Sequence, residues 1–556
     1  MSTVEWGTHL SFIQNAICLG MMATNILDEI VEKRRADIKA KGYSFGIDIP
    51  AERTRENIVP FIAQKGVVLE IKRASPSKGD IAPDLNAADT ATAYAAAGTS
   101  AISVLTETNY FKGTLQDLLN ACKAVDDYAE NHPNAKRVAI LRKDFLLAPE
   151  EIDIAYRCGA DAVLLIARIL DKDTMLSMAA KCEQLGMTAF IELRLQEDLQ
   201  KLAYVAKKVN KKYIVCGVNA RDLKDFSIDL LTPAGLLPDI QAILGKDARV
   251  IFESGVRTPM SANFAGSLGF TGMLLGEAAA RNPAEASALV SNFVNAKKTP
   301  HSEFWLEYAQ MLHNRTEKGI KRPLIKICGL TTADDALAAT LIAPDFLGFI
   351  FCAKSKRNVK NDIVRQVRTI LDEHFDQEAA EMPETCEPNF DTDQKPVLVG
   401  VITECNSEEG KEAIALVKEG VLDILQLHGQ TAVEQFFQRD DIKQIPHYAV
   451  VNVSTQQDLE KITELRQKGE PRILIDAKSG TELGGTGTRI NAELVQQVAK
   501  KTKLWLAGGI NPDNVATVVR DFQPELIDIS SGIESAPGVK DYDALLKLDQ
   551  EISKIL

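Results

Sequence analysis

Two parallel α/β barrels joined in tandem are the fold this sequence predicts, and three observations lead there. The chain has 556 residues, too many for one ordinary domain. Short apolar runs alternate with amphipathic stretches from Val67 to about Ala296, and again from Leu324 to the end. Strands that alternate with helices build parallel βα units. The apolar runs also end in charge: Val67–Lys72 (VVLEIK), Val138–Phe145 (VAILRKDF), Thr188–Glu192, Ile214–Arg221 and Val250–Ser254 each deliver Lys, Glu, Asn or Arg to one end. One such end is ordinarily a solvated terminus, but a series of them converges on a single pocket in a (β/α)₈ barrel.

Residues 1–21 stand apart. Ile13–Met22 is mildly apolar, but no Lys or Arg precedes it, so the charged start of a secretory signal is missing. Helical patterning begins at Asn25, which predicts that Met22 is the start and that 1–21 is a disordered or misassigned extension. Asn25–Lys41 and a short stretch around Glu56–Phe61 read as extra helical structure ahead of a first barrel spanning 22–297. Within that barrel, strands at Ala101–Leu105 and Ala162–Ala167 alternate with helices at Ala88–Ala97, Leu115–Tyr128, Pro149–Arg157 and Lys172–Leu185.

Residues 298–322 are polar and basic around an amphipathic Phe304–Leu312, a linker helix. The second barrel takes 323–556, with strands at Ile325–Gly329, Phe346–Phe351, Leu398–Ile402, Ile424–His428, Ile473–Asp476, Leu504–Gly508 and Leu526–Ser530. Residues 373–394 (EHFDQEAAEMPETCEPNFDTDQ) are acidic and poor in aliphatics. They read as a loosely held insertion in which Cys386 is exposed.

Composition narrows the function. Hydrophobic content of 45% and charged content of 25% belong to a globular protein, and a net charge of −13 argues against a nucleic-acid surface. No apolar run approaches the roughly 20 residues that cross a bilayer, so no membrane partner is expected. Nine cysteines without a CxxC pair predict free thiols in a reducing cytoplasm. No metal-ligand spacing is present, so neither a metal nor another cofactor is expected.

The sharpest motif of the first half is Glu70-Ile-Lys72 followed by SPSKG. Residues two apart on a strand point the same way, so Glu70 and Lys72 form an ion pair or a clamp at the barrel mouth. With RKDF, IEL, GVNARDL, ESG and SVLTETNYFKG, this motif resembles indole-3-glycerol phosphate synthase over nearly all of 22–297. The resemblance implies that Lys143 is the general acid of ring closure and Glu192 the acid/base of dehydration. It implies that Lys72 contacts the substrate's carboxylate and phosphate region. Glu70, Asn219, Arg221, Glu253 and Ser254 complete the site, Glu70 and Glu253 either as direct participants or as partners that hold the lysines. A protonated lysine stabilises a developing oxyanion, and loss of water needs a second group that takes and gives protons. Gly255, Gly276 and the backbone of Glu277 are the expected phosphate cradle after strands seven and eight.

In the second half, Cys328 ends a strand in KICGLT, Asp476 ends ILID, and Arg357 follows GFIF in KSKRNV. A strand-end cysteine alone is ordinarily a core thiol. A thiol, an acid and a cation at one mouth form a proton-transfer site. With LQLHG, GGTGTR, AGGINPDNV and IDISSGIESAPGVKD, the text resembles phosphoribosylanthranilate isomerase over 323–556. The resemblance implies Cys328 as general base, Asp476 as general acid, Arg357 as a substrate-positioning residue and Asp528 against the amino-aromatic part. Gly485, Gly487, Gly508, Gly509, Ser530, Ser531 and Gly532 offer donors to one phosphate. His428 reads as a hydrogen-bonded barrel residue. Thr403 and Glu404 depart from the family's usual text and alter only the pocket rim.

The expectation is a cytoplasmic, monomeric, bifunctional enzyme of tryptophan biosynthesis acting on small phosphorylated anthranilate-sugar substrates. The alternatives are a chain in which one barrel is only a structural partner, and a phosphate-binding scaffold without catalysis.

Overall fold

The structure, a computed structural model, describes residues 26–221, 227–276, 286–381, 395–476 and 492–555. Two closed eight-stranded parallel barrels follow one another along the chain. In the first, Gly66–Ile71 opens the barrel and closes it by pairing with both Ala101–Leu105 and Gly272–Leu275. In the second, Leu324–Cys328 does the same with Phe346–Phe351 and Leu526–Ile529. Nearly every strand residue is buried, because helices cover the outside and side chains fill the inside. Among the described residues, no helix is long and apolar enough to cross a membrane.

Strand alternation sorts the first barrel's residues. Val67, Leu69 and Ile71 join the layer beneath the helices, while Val68, Leu141, Leu164, Phe190, Val215 and Ile251 fill the interior. Phe61 and Ile62 belong to that interior cluster, and the Phe61 ring lies 5.5 Å from that of Phe190. The stretch Glu56–Phe61 is therefore not helical, contrary to its sequence pattern. It is an irregular segment of bends that plugs the barrel floor with Phe61. Asp161 holds it there, accepting from Val59 N–H at 3.1 Å and pairing with Arg53 and Arg55.

The linker helix is longer than its apolar centre suggests. It runs Pro300–Glu317, with Thr299 capping its start and Pro300 in the first turn. Its buried Trp305 and Tyr308 pack on Trp505 and Phe346 at the amino ends of second-barrel strands, with ring centroids 5.7–6.3 Å apart. Tyr308 donates to Glu525 Oε1 at 3.0 Å. Beside it, the fully buried Arg472 joins Glu525 to Asp229 of the first barrel, the latter at 2.7 Å. One apolar core thus runs from the first barrel through the linker into the floor of the second.

Two further departures from the sequence reading concern the second barrel. An eighth strand, His447–Asn452, lies between Ile424–His428 and Ile473–Asp476. The acidic stretch 373–394 begins as helix: Asn361–Glu381 is continuous, so 373–381 extend a helix whose Val364, Val367 and Leu371 are already packed. Residues 382–394 with Cys386, residues 1–21, and the site candidates Glu277, Gly485 and Gly487 lie outside the described residues.

Candidate active sites

At the carboxyl ends of the first barrel's strands, one cavity is bordered by Glu70, Lys72, Lys143, Glu192, Asn219, Arg221, Glu253, Ser254, Gly255 and Gly276. All ten of these candidates come together as the strand-end pattern predicts. Lys72 Nζ donates to Glu70 Oε1 at 2.6 Å. Lys143 Nζ lies 3.0 Å from Glu253 Oε2 and 3.5 Å from Glu70 Oε2. Glu70 thus bridges the two lysines. Burial opposes its charge, but Lys72 and Lys143 overcome that and hold its carboxyl down at about 2.

The opposite holds across the cavity. Burial pushes Glu253 up, and Glu192 and Glu70 add to it against the pull of Lys143. The group rests at about 8. Among the described residues, its Oε1 is buried without a hydrogen-bond partner. Lys143 stays above the ordinary lysine range: burial alone would lower it, but Glu253, Glu70 and Glu192 all favour its charge. The site therefore holds a firmly protonated lysine beside a carboxyl able to carry a proton near neutral pH.

Backbone shape makes room for these groups. Gly276 lies against the ion pair, where a Cβ would meet Glu70 Oε1 at 2.6 Å and Lys72 Nζ at 2.7 Å. Ser254 and Gly255 both take positive φ, 69° and 84°, at the turn after the seventh strand. A Cβ on Gly255 would also strike Ile228 and Leu230.

Of the RKD triplet, Lys143 borders the cavity at the rim, while Arg142 is wholly buried away from solvent, donating to Glu151 O at 3.0 Å and Asp144 Oδ2 at 3.2 Å. Arg34 completes that network from the N-terminal helix, 2.9 Å from Asp144 and bonded to Glu151. The network anchors the helix Ile26–Lys41, so that Ile26, Leu27 and Ile30 form an apolar wall of the cavity. Sequence reasoning missed that wall. The available signal was the apolar spacing Ile26, Leu27, Ile30 on a helix set before the barrel.

The second mouth is built around Cys328, last residue of its strand and 6% exposed. The neighbouring strand meets it with Gly348, where a Cβ would lie 2.7 Å from Cys328 Sγ. Arg357 crosses Gly329, whose φ is 78°, and is gripped by Glu534 at 2.6–3.0 Å. Lys540 Nζ donates to Cys328 O at 2.7 Å and to Glu534 at 3.0 Å. Asp476 ends its strand on the same side of the barrel, in register with Asn452 and Ala507. Gly508 and Gly509 have φ of 113° and 60°, and Gly532 packs so tightly on Ile510 O that a Cβ there would overlap it. The loops carrying Gly508, Gly509, Ser530, Ser531 and Gly532 thus abut. His428 ends its strand half-buried, and Glu404 is exposed beyond the rim.

Burial pushes the Cys328 thiol up, with Asp528 adding to that and Lys326 opposing it. Glu534, Lys540 and Lys326 were all missed; the first two sit in IESAPGVKD, whose small paired strands Glu534–Ala536 and Val539–Lys540 bring them back over the mouth.

Comparison with known proteins divides the chain at the same place. A family model for indole-3-glycerol phosphate synthase matches residues 27–291, and one for N-(5'phosphoribosyl)anthranilate (PRA) isomerase matches 325–551. The multifunctional tryptophan biosynthesis protein of Schizosaccharomyces pombe is 32% identical over 535 residues, covering 92% of this chain and 64% of its own length. The tryptophan biosynthesis protein TRP1 of Phytophthora nicotianae is 29% identical over 95% of this chain and 99% of its own. The indole-3-glycerol phosphate synthase of Desulforamulus reducens is 33% identical over 46% of this chain and 91% of its own.

Proposed function

Because the chain belongs to the indole-3-glycerol phosphate synthase family through its first barrel and to the PRA isomerase family through its second, we propose that it catalyses two consecutive steps of tryptophan biosynthesis. The second barrel isomerises N-(5-phosphoribosyl)anthranilate to the aminoketose by an Amadori rearrangement. The first barrel cyclises, decarboxylates and dehydrates that product to indole-3-glycerol phosphate. The observation that carries this reading is that each mouth sets a proton donor or acceptor beside an opposite charge: Lys143 3.5 Å from the Glu70 carboxylate, and Cys328 beside Lys326, with which it borders the gap at Gly348.

In the first barrel, Lys143 keeps its proton until an oxyanion develops next to it, then donates it. Glu192 exchanges the protons of water loss. Lys72, tied to Glu70, meets the substrate's anionic groups, and Asn219, Arg221 and Ser254 orient it. The turn at Gly255 and the backbone at Gly276 take the phosphate. In the second barrel, Asp476 protonates the ring oxygen as the sugar opens to a Schiff base, and Cys328 removes the proton at C2. Arg357, held by Glu534, positions the substrate, and Asp528 meets its amino-aromatic part. Gly508, Gly509, Ser530, Ser531 and Gly532 take the phosphate.

Steady-state assays of the two half-reactions on the full chain test this. Turnover of both substrates is expected. Tight binding of both phosphorylated compounds without turnover would instead make the chain a scaffold, and activity in one assay alone would leave the other barrel as a structural partner.

A further inference from the structure

The interior of the second barrel holds a charge that the roles above leave unused. Lys326 is 0% exposed, two residues before Cys328 on the same strand. Both side chains therefore point into the barrel, Lys326 one layer below the thiol. Its Nζ donates to Gln426 Oε1 at 2.5 Å and to Asp528 Oδ2 at 2.7 Å. Tyr448 Oη donates to the same Gln426 oxygen at 2.7 Å. These bonds fix the ammonium in place, and Asp528 keeps it charged despite burial.

An ammonium in a barrel core carries a heavy desolvation cost, and apolar residues of similar volume often replace such ion pairs without loss of stability. Among the described residues, Asp528 Oδ1 is buried without a hydrogen-bond partner, so packing alone does not account for the pair. What lies next to it does. The gap left by Gly348 is bordered at once by Cys328 Sγ, 2.7 Å from where a Cβ would be, and by Lys326 Cε at 3.1 Å. Of the charged groups facing the sulfur, Lys326 and Lys540 favour its ionised form against burial, Lys326 the more strongly, and Asp528 opposes it.

We propose that Lys326 is a positioning residue of the isomerase: a buried cation beneath Cys328 that keeps the sulfur available as thiolate, itself held by Asp528 and Gln426. This rests on Cys328 being the base that takes the C2 proton. In that step the C2–H bond breaks and the proton passes to sulfur. The bonding pair forms C1=C2, and the imine π pair moves onto nitrogen. Lys326 keeps its proton throughout and acts only through the fraction of sulfur that is ionised.

The test compares wild type with Lys326→Met, Lys326→Gln and Lys326→Arg in the full chain. The readout is the pH midpoint of iodoacetamide alkylation at Cys328, followed by peptide mapping, alongside the pH profile of isomerase kcat/KM. An opposite charge at this range moves a titration by about one to three units. The Met and Gln variants should therefore shift both midpoints up by at least about one unit, the Arg variant should keep the wild-type midpoint, and synthase turnover should be unchanged in all three. An unmoved alkylation midpoint in the Met and Gln variants overturns the proposal. So does loss of the second barrel's unfolding transition in both the Met and the Arg variants, which would assign Lys326 to folding. A shifted alkylation midpoint in a chain whose Cys328→Ser form still isomerises would spare the electrostatic effect but refute the role of Cys328 as base.

Discussion

At Glu70 the balance of burial against neighbouring charge has a measurable consequence. Its carboxyl is held at about 2 by Lys72 and Lys143 against the opposing effect of burial, whereas an unfolded glutamate titrates near ~4.3. A depressed carboxylate contributes stability that is present above the unfolded value and lost as pH falls through the folded one. The window is therefore pH 4 down to 2, and the contribution is of order 3 kcal/mol. Glu253, raised to about 8, acts in the reverse sense, losing its contribution as pH rises from the unfolded value through 8, and so does not share that window. Urea unfolding of wild type and Glu70→Gln at pH 6 and pH 3 should show wild type losing more stability on acidification. Equal losses would mean that the ion pair does not hold in solution.

The same scale shows what was legible. Glu70, Lys143 and Glu253 stand out in sequence because charge ends one apolar run after another along the same barrel. Lys326 does not, because a lysine inside LIKIC reads as a strand's outward residue until the barrel closes around it. Arg142 lies beside Lys143 in the same charged run yet is buried, since adjacent residues on a strand point to opposite sides and Lys143 faces the cavity.

Among the elements, the linker helix and Arg472 join the barrels. Arg472 is wholly buried between Asp229 and Glu525. Removing one member of such a group leaves buried charge uncompensated and costs about 3–5 kcal/mol. Arg472→Met should lower the urea midpoint of the chain accordingly, and a change below about 1 kcal/mol would indicate that water already screens the contact. Deleting residues 382–394 should leave the melting temperature within a few degrees of wild type, because that text lacks the apolar periodicity needed to pack. A drop of ten degrees or more would count against treating it as an insertion.

Strand–helix alternation was legible wherever an apolar run was uninterrupted. The strand His447–Asn452 escaped notice because it opens on a histidine and a tyrosine. Both are buried: His447 pairs with Glu470 at 2.9 Å and Tyr448 bonds Gln426 inside the barrel. Glu56–Phe61 misled because its polar and apolar residues fall at helical spacing, while Asp161 and the barrel floor supply partners that no local pattern reveals.

For the whole molecule, we propose that one chain holds two chemically independent proton-transfer sites, one at the mouth of each barrel. Among the described residues, the network at Lys143 and the network at Cys328 share no residue. The most direct measurement assays both half-reactions on full-length Lys143→Ala and Cys328→Ser, with unfolding curves to establish that both barrels remain folded. Lys143→Ala should lose indole-3-glycerol phosphate formation by at least about a hundredfold and keep isomerisation near wild type, since a positioned proton donor contributes about 10²–10⁴-fold. Cys328→Ser should do the reverse, because a serine hydroxyl is too weakly acidic to replace the thiolate. Loss of both activities from either substitution in a folded chain, or retention of most isomerase rate by Cys328→Ser, would contradict the account.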